Sequence, residues 1–305
     1  MPIPYHTYGR SGAMLNFSHA NGYPPDAYGP LFSKLGERYQ IVAMRMRPLW
    51  DGADPMHLFD WRPLAADLAQ FLDELYLTRL IGVGHSMGAT TTLRLALLQP
   101  ERFRALILID PVLFPPSVVY TWNLIYRLGL AYQLHPLARF TRRRRCSFES
   151  PQEMFHQYRK KTVFQRLSDE GLLAYVTAMA RQSPDGSVQL CYSPEWEARI
   201  YVTGVRADME IWDDLSSLKP PTLILRGDQT DTFRENAAHA FQHRLPSATI
   251  VSIPNTTHLV PLEAPAETAK LIIQFLDQFE LTEKNLPGKE TGKMEWNPQL
   301  ITPLN

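Results

Sequence analysis

The segment Leu80-Ile81-Gly82-Val83-Gly84-His85-Ser86-Met87-Gly88-Ala89 decides the architecture. An apolar run enters Gly-x-Ser-x-Gly and continues directly into helix-forming sequence, which Pro100 stops after Gln99. The pattern predicts a strand, a tight turn and a helix, with Ser86 at the apex. Such a turn holds a serine Oγ clear of the backbone, and the helix N-terminus behind it offers N–H groups to an anion. Ser86 is therefore the candidate nucleophile.

Outward from this segment, short apolar runs recur at Ala13 to Phe17, Gln40 to Met44, Ala105 to Ile109, Thr222 to Leu225 and Thr249 to Ile253. They read as buried parallel strands. Between them, Leu64 to Leu75, Thr90 to Gln99, Glu235 to Arg244 and Pro265 to Phe279 read as helices. This alternation predicts an α/β fold, a mostly parallel central sheet flanked by helices. The short N-terminus leaves room for one weak strand before Ala13.

The alternation breaks between about Phe114 and Asp214, where the chain becomes aromatic and basic. An inserted helical cap is expected there, and Pro220-Pro221 returns the chain to the sheet. The expected organisation is a first core part over 1–113, a cap over 114–215, a second core part over 216–281 and a polar tail over 282–305. Arg142 to Arg145 forms a charge cluster. It reads as solvated cap surface, with an anion or a membrane surface as the alternative partner.

Composition narrows the function. Of 305 residues, 45% are hydrophobic, and Lys plus Arg equals Asp plus Glu at 31 each, so no global field argues for nucleic acid. Cys146 and Cys191 form no C-x-x-C pair, so neither a metal nor a disulfide framework is expected, and no cofactor is called for. Met1-Pro2-Ile3-Pro4-Tyr5-His6 lacks the features of a signal peptide, and no apolar run is long enough to span a bilayer. A cytoplasmic protein acting on a small molecule is expected.

A serine nucleophile needs a base, an orienting acid and donors for an oxyanion. The predicted strand at Thr222 runs into Arg226-Gly227-Asp228-Gln229-Thr230-Asp231, placing carboxylates past a strand's carboxyl end, where α/β sheets build their sites. Asp228 or Asp231 is placed to orient a histidine. His258, in the loop Pro254 to Glu263 after the next strand, is the natural general base.

With these residues in this order, the chain resembles the α/β-hydrolase superfamily in its cap-bearing branch, over about residues 13 to 280. The resemblance implies a triad of Ser86, Asp231 and His258, because Gly227-Asp228-x-Thr230-Asp231 is similar to an acid loop whose final aspartate carries the role. Asp228 is its alternative, and Asp110 a further position, since some relatives place the acid after that strand. The implied oxyanion hole joins the N–H of Met87 to that of Tyr23, with Asn21 as the alternative. His19 and His85 are implied to be structural. The family's Asp-x-x-Gly-x-Gly loop is replaced by Met44-Arg45-Met46-Arg47-Pro48-Leu49-Trp50.

The implied activity is a serine hydrolase cleaving a small apolar carboxylic ester through an acyl-enzyme. Carbon–carbon bond or lactone hydrolysis by the same triad, a lipid-surface enzyme and a non-catalytic ligand receptor on this fold are the alternatives. Serine at the elbow argues against related chemistries that use an aspartate nucleophile.

Overall fold

The computed structural model describes residues 2–184 and 186–279, so the predicted tail lies outside the described residues. Its strands are β1 (Tyr5–Tyr8), β2 (Ala13–Ser18), β3 (Tyr39–Met44), β4 (Leu80–His85), β5 (Phe103–Ile109), β6 (Ser147–Phe148), β7 (Ala180–Gln182), β8 (Val188–Leu190), β9 (Thr222–Gly227) and β10 (Thr249–Ile253). Seven of them form one sheet in the order β1-β3-β2-β4-β5-β9-β10. All its pairings are parallel except that of β1 with β3.

The central strands are apolar on both faces because helices cover both. Every residue of β4 is buried, as are all of β5 but Arg104. β10 departs from the doubly buried expectation. It is the sheet's last strand, and Thr249 and Ser252 are exposed on it. Register aligns the carboxyl ends: Ser18 lies opposite Gly84, His85 opposite Ile109, and Ile109 opposite Leu225. Loops leaving β2, β4, β5 and β9 therefore open side by side.

The flanking helices are α1 (Gly29–Leu35), α2 (Arg62–Glu74) and α3 (Met87–Leu98), with further ones after β9. In α2 the residues Leu64, Ala65, Leu68, Phe71 and Leu72 form one buried stripe at helical spacing, and α2 packs beside α3.

Between β5 and β9 the chain makes α4 (Pro116–Arg127), α5 (Ala131–Leu134), α6 (Pro136–Thr141), α7 (Pro151–Arg159), α8 (Asp169–Met179), α9 (Pro194–Thr203) and α10 (Asp208–Asp214). Ser150, Ser168 and Ser193 start α7, α8 and α9 by accepting hydrogen bonds from Glu153 N, Gly171 N and Trp196 N at 3.0–3.1 Å. The segment is not purely helical, because β6, β8 and β7 form a small antiparallel sheet within it. After β9 come α11 (Glu235–Arg244), α12 (Val260–Glu263) and α13 (Pro265–Gln278), the last packing beside α1.

Candidate active site

The turn between β4 and α3 forces Ser86 into φ 55°, ψ −120°, a conformation that non-glycine residues rarely adopt. Its N–H donates to the Ile109 carbonyl at 2.9 Å, tying the strained residue to β5. Both glycines of the motif are sterically required. A Cβ on Gly84 would lie 2.4 Å from the Gly88 oxygen, and one on Gly88 would lie 2.0 Å from the Ser18 oxygen. Close packing of β2, β4 and α3 thus permits no side chain at either position.

His258, in the loop between β10 and α12, brings Nε2 to 2.7 Å from Ser86 Oγ. Its Nδ1 lies 3.0 Å from Asp110 Oδ1. With Nδ1 protonated, the imidazole donates to the carboxylate and accepts from the serine hydroxyl. The His258 side chain is 24% exposed, so solvent or a ligand reaches it, whereas Asp110 is fully buried.

Asp110 follows the end of β5 with φ 42° and is held from four sides. Besides His258, it accepts from Gly227 N at 2.9 Å, Thr230 Oγ1 at 2.7 Å and Phe233 N at 3.4 Å. The expectation for the acid is corrected here. Asp231 is exposed and accepts from Thr232 Oγ1, and Asp228 accepts from Thr256 N; neither carboxylate is the partner of His258. The loop after β9 does surround the carboxylate that meets His258, but it supplies donors to Asp110 rather than the carboxylate itself. Because β5 and β9 are neighbours, a side chain from the end of one is enclosed by the loop of the other.

The loop after β2 also departs from expectation. Tyr23 N–H donates to the Ala20 carbonyl at 3.2 Å, closing a turn in which Gly22 has φ 77°, so it is not available to an oxyanion. Among the described residues, the N–H groups of Asn21 and Met87 have no protein acceptor. The Asn21 side chain is fixed by donating to the Glu197 carbonyl at 3.0 Å and accepting from Tyr192 Oη at 2.9 Å. Gly88, packed against Ser18 and His19, keeps this loop against the start of α3.

A model of the alpha/beta hydrolase family matches residues 17–271. The chain belongs to that family. Curated relatives include a putative esterase/lipase of Haemophilus influenzae, 22% identical over 270 residues, covering 87% of this chain and 83% of the relative. A 2-(acetamidomethylene)succinate hydrolase of Mesorhizobium japonicum is 23% identical over 281 residues, with coverages of 88% and 89%. Among solved structures, an E-2-(acetamidomethylene)succinate hydrolase superposes with a TM-score of 0.71 at 20% identity, covering 90% of this chain and 95% of that one. An enol-lactonase from Burkholderia xenovorans superposes at 0.64 and 17% identity, with coverages of 90% and 96%. These likenesses show the fold.

Two buried histidines brace the site of this α/β hydrolase. His19 Nε2 accepts from Met46 N at 3.0 Å, while its Nδ1 donates to the Ala20 carbonyl at 2.8 Å. Burial lowers its pKa to about 4, so it is neutral. His85 is likewise held well below its ordinary pKa by burial and by the neighbouring His258. Its Nδ1 is 2.8 Å from Tyr28 Oη, which accepts from Ala20 N at 3.1 Å, and its Nε2 is 2.9 Å from the His258 carbonyl oxygen.

The four arginines after α6 do not share one environment. Arg142 stacks on the Tyr132 ring and Arg145 forms a two-point pair with Glu153. Arg144 turns inward to Glu197 and is largely buried. No helix of the described residues is long and apolar enough to cross a membrane.

Proposed function

We propose that this protein is a serine hydrolase that cleaves a carboxylic ester through Ser86, His258 and Asp110, with the segment between β5 and β9 acting as its cap. The observation carrying this reading is the pair of contacts at His258: 2.7 Å to the Ser86 hydroxyl and 3.0 Å to a fully buried aspartate.

In acylation, His258 Nε2 takes the Ser86 proton as Oγ attacks the ester carbonyl carbon. Asp110 keeps the proton on Nδ1 and stabilises the imidazolium that forms. The oxyanion is received by the N–H of Met87 and, from the loop after β2, that of Asn21. His258 then protonates the departing alcohol. Water, deprotonated by the same nitrogen, attacks the acyl-enzyme and releases the carboxylic acid with Ser86 restored. Every atom is supplied by ester and water, so the scheme calls for no cofactor.

Aromatic residues of the segment, Tyr158, Phe164 and Tyr175, pack in one cluster with Tyr23 of the loop after β2. They supply the apolar wall expected of a small-molecule ester site. The free thiols of Cys146 and Cys191 fit the reduced cytoplasm. The test is hydrolysis of p-nitrophenyl esters of graded acyl length. Turnover that disappears in Ser86→Ala supports the reading, whereas ligand binding without turnover would make the protein a receptor on a hydrolase fold.

A further inference from the structure

Arg144 is the one member of its four-arginine run that is drawn into the protein, and its pairing is incomplete. Its Nη1 donates to Glu197 Oε2. Among the described residues, Arg144 alone has both Nε and Nη2 buried and without an acceptor. These two nitrogens form the guanidinium edge whose parallel N–H bonds match the two oxygens of a carboxylate. Elsewhere the molecule uses the same edge in that way. Arg47 places Nε and Nη2 at 2.7 and 2.5 Å from the two oxygens of Asp67, and Arg62 places its own at 3.0 and 2.6 Å from those of Asp60. At Arg144 the edge is more buried than in either pair and lacks its carboxylate.

The surroundings place Arg144 beside the loop after β2, which carries the proposed oxyanion donor Asn21. Glu197, which holds Arg144, lies against the loop after β2, so that a Cβ on Gly22 would sit 3.2 Å from its carboxyl carbon. The Glu197 carbonyl also anchors the Asn21 side chain. Arg144 interacts electrostatically with Tyr23 of that loop and with Tyr158 and Tyr175. The buried Tyr158 hydroxyl lies within hydrogen-bonding reach of the Arg144 guanidinium and has a proton of its own to donate at the same place.

A second cation lies near the same cluster. Lys161, an exposed residue, sits 4.2 Å from the centre of the Tyr158 ring and has no ion-pair partner among the described residues. Its pKa is lowered, first by burial and then by Arg144. Among the described residues, Glu197 is the one carboxylate that meets Arg144, and it takes only its Nη1. A buried guanidinium with two unmet donors is costly unless an anion completes it.

We propose that the Nε–Nη2 edge of Arg144 is a subsite for a substrate carboxylate, so that the preferred esters carry a negatively charged group in addition to the scissile carbonyl. This rests on the hydrolase reading above and narrows its substrate class from apolar esters to esters with one carboxylate. Glu197 acts as a positioning residue that aims the edge. A planar carboxylate fits the fork.

The test compares kcat/KM for the p-nitrophenyl monoester of glutaric acid with that for p-nitrophenyl pentanoate, which has equal chain length without the charge. Wild type is expected to prefer the charged ester by about tenfold or more, as a two-point charged contact implies. In Arg144→Gln/Glu197→Gln, which removes both charges together, that preference is expected to vanish. Arg144→Lys, which keeps the charge but not the edge, is expected to lose most of it and covers the case in which the double variant does not fold. Preference of the wild type for pentanoate, or an unchanged ratio in folded variants, overturns the subsite. If wild type cleaves neither ester, the hydrolase reading fails by itself. Calorimetry with glutarate then decides the anchor alone: heat abolished by Arg144→Lys supports it, and no heat with wild type overturns it.

Discussion

The Nε2 of His85 donates to the main-chain oxygen of His258 at 2.9 Å. The residue preceding the proposed nucleophile therefore holds the backbone of its proposed base. The tautomer follows, because an Nε2 donor leaves Nδ1 to accept from Tyr28 Oη, and that hydroxyl in turn accepts from Ala20 N. One buried chain of hydrogen bonds links the loop after β2, the nucleophile turn and the histidine loop. His85, expected from sequence only to be structural, supports the geometry of all three.

Removing the hydroxyl in Tyr28→Phe leaves Ala20 N and His85 Nδ1 buried and unpaired. We predict a loss of about 1–3 kcal/mol in urea unfolding, the cost of stranded buried polar groups. We also predict a fall of about tenfold in kcat with KM little changed, because the distortion reaches catalytic positioning. Wild-type stability and kcat would show that the chain of bonds carries no function.

The acid assignment separates two variants cleanly. Asp110→Asn keeps the shape but places an amide against His258 Nδ1, and is predicted to lower kcat by about ten-thousand-fold. Asp231→Asn, at an exposed carboxylate, is predicted to stay within about twofold. The reverse pattern in ester hydrolysis would restore Asp231 to the role.

Gly88→Ala tests the elbow. The added methyl would meet the Ser18 and His19 carbonyl oxygens, and backbone on both sides has no room to yield. A destabilisation above about 3 kcal/mol is predicted from this overpacking, together with loss of turnover. Unchanged unfolding would mean that β2 and α3 separate more readily than their packing implies.

What the sequence disclosed and what it concealed have physical causes. The strands were legible because parallel strands covered on both faces must be apolar throughout, as β4 and β5 are. Ser86 and His258 were legible because the elbow demands glycines and the base follows a strand end. The carboxylate that meets His258 was not, because Asp110, Asp228 and Asp231 all lie past the ends of the adjacent strands β5 and β9. Which of them reaches His258 depends on a positive φ at Asp110 and on donors from Gly227 to Phe233. Tyr23 was preferred to Asn21 by analogy in loop length, and the turn bond to Ala20 has no sequence mark. Among four consecutive arginines, only the packing of Glu197, 53 residues away, draws Arg144 inward.

His19 gives a stability prediction with a definite sign. Its folded pKa of about 4 lies below the ordinary value of 6.5, so between these pH values the unfolded chain binds more protons than the folded one. Stability from this group is full above pH 6.5 and is lost as pH falls towards 4, by about 3 kcal/mol in total. His19→Gln, which does not titrate, is predicted to show a shallower loss of urea midpoint over that range. Parallel curves for the two proteins would refute the assignment.

The central claim is that Ser86 is an activated nucleophile. The most direct measurement is reaction of the folded protein with a fluorophosphonate, followed by mass-spectrometric location of the adduct. A single adduct on Ser86, absent in Ser86→Ala and strongly slowed in His258→Ala and Asp110→Asn, is the predicted result. No adduct on folded wild type, or an adduct on another residue, would contradict it.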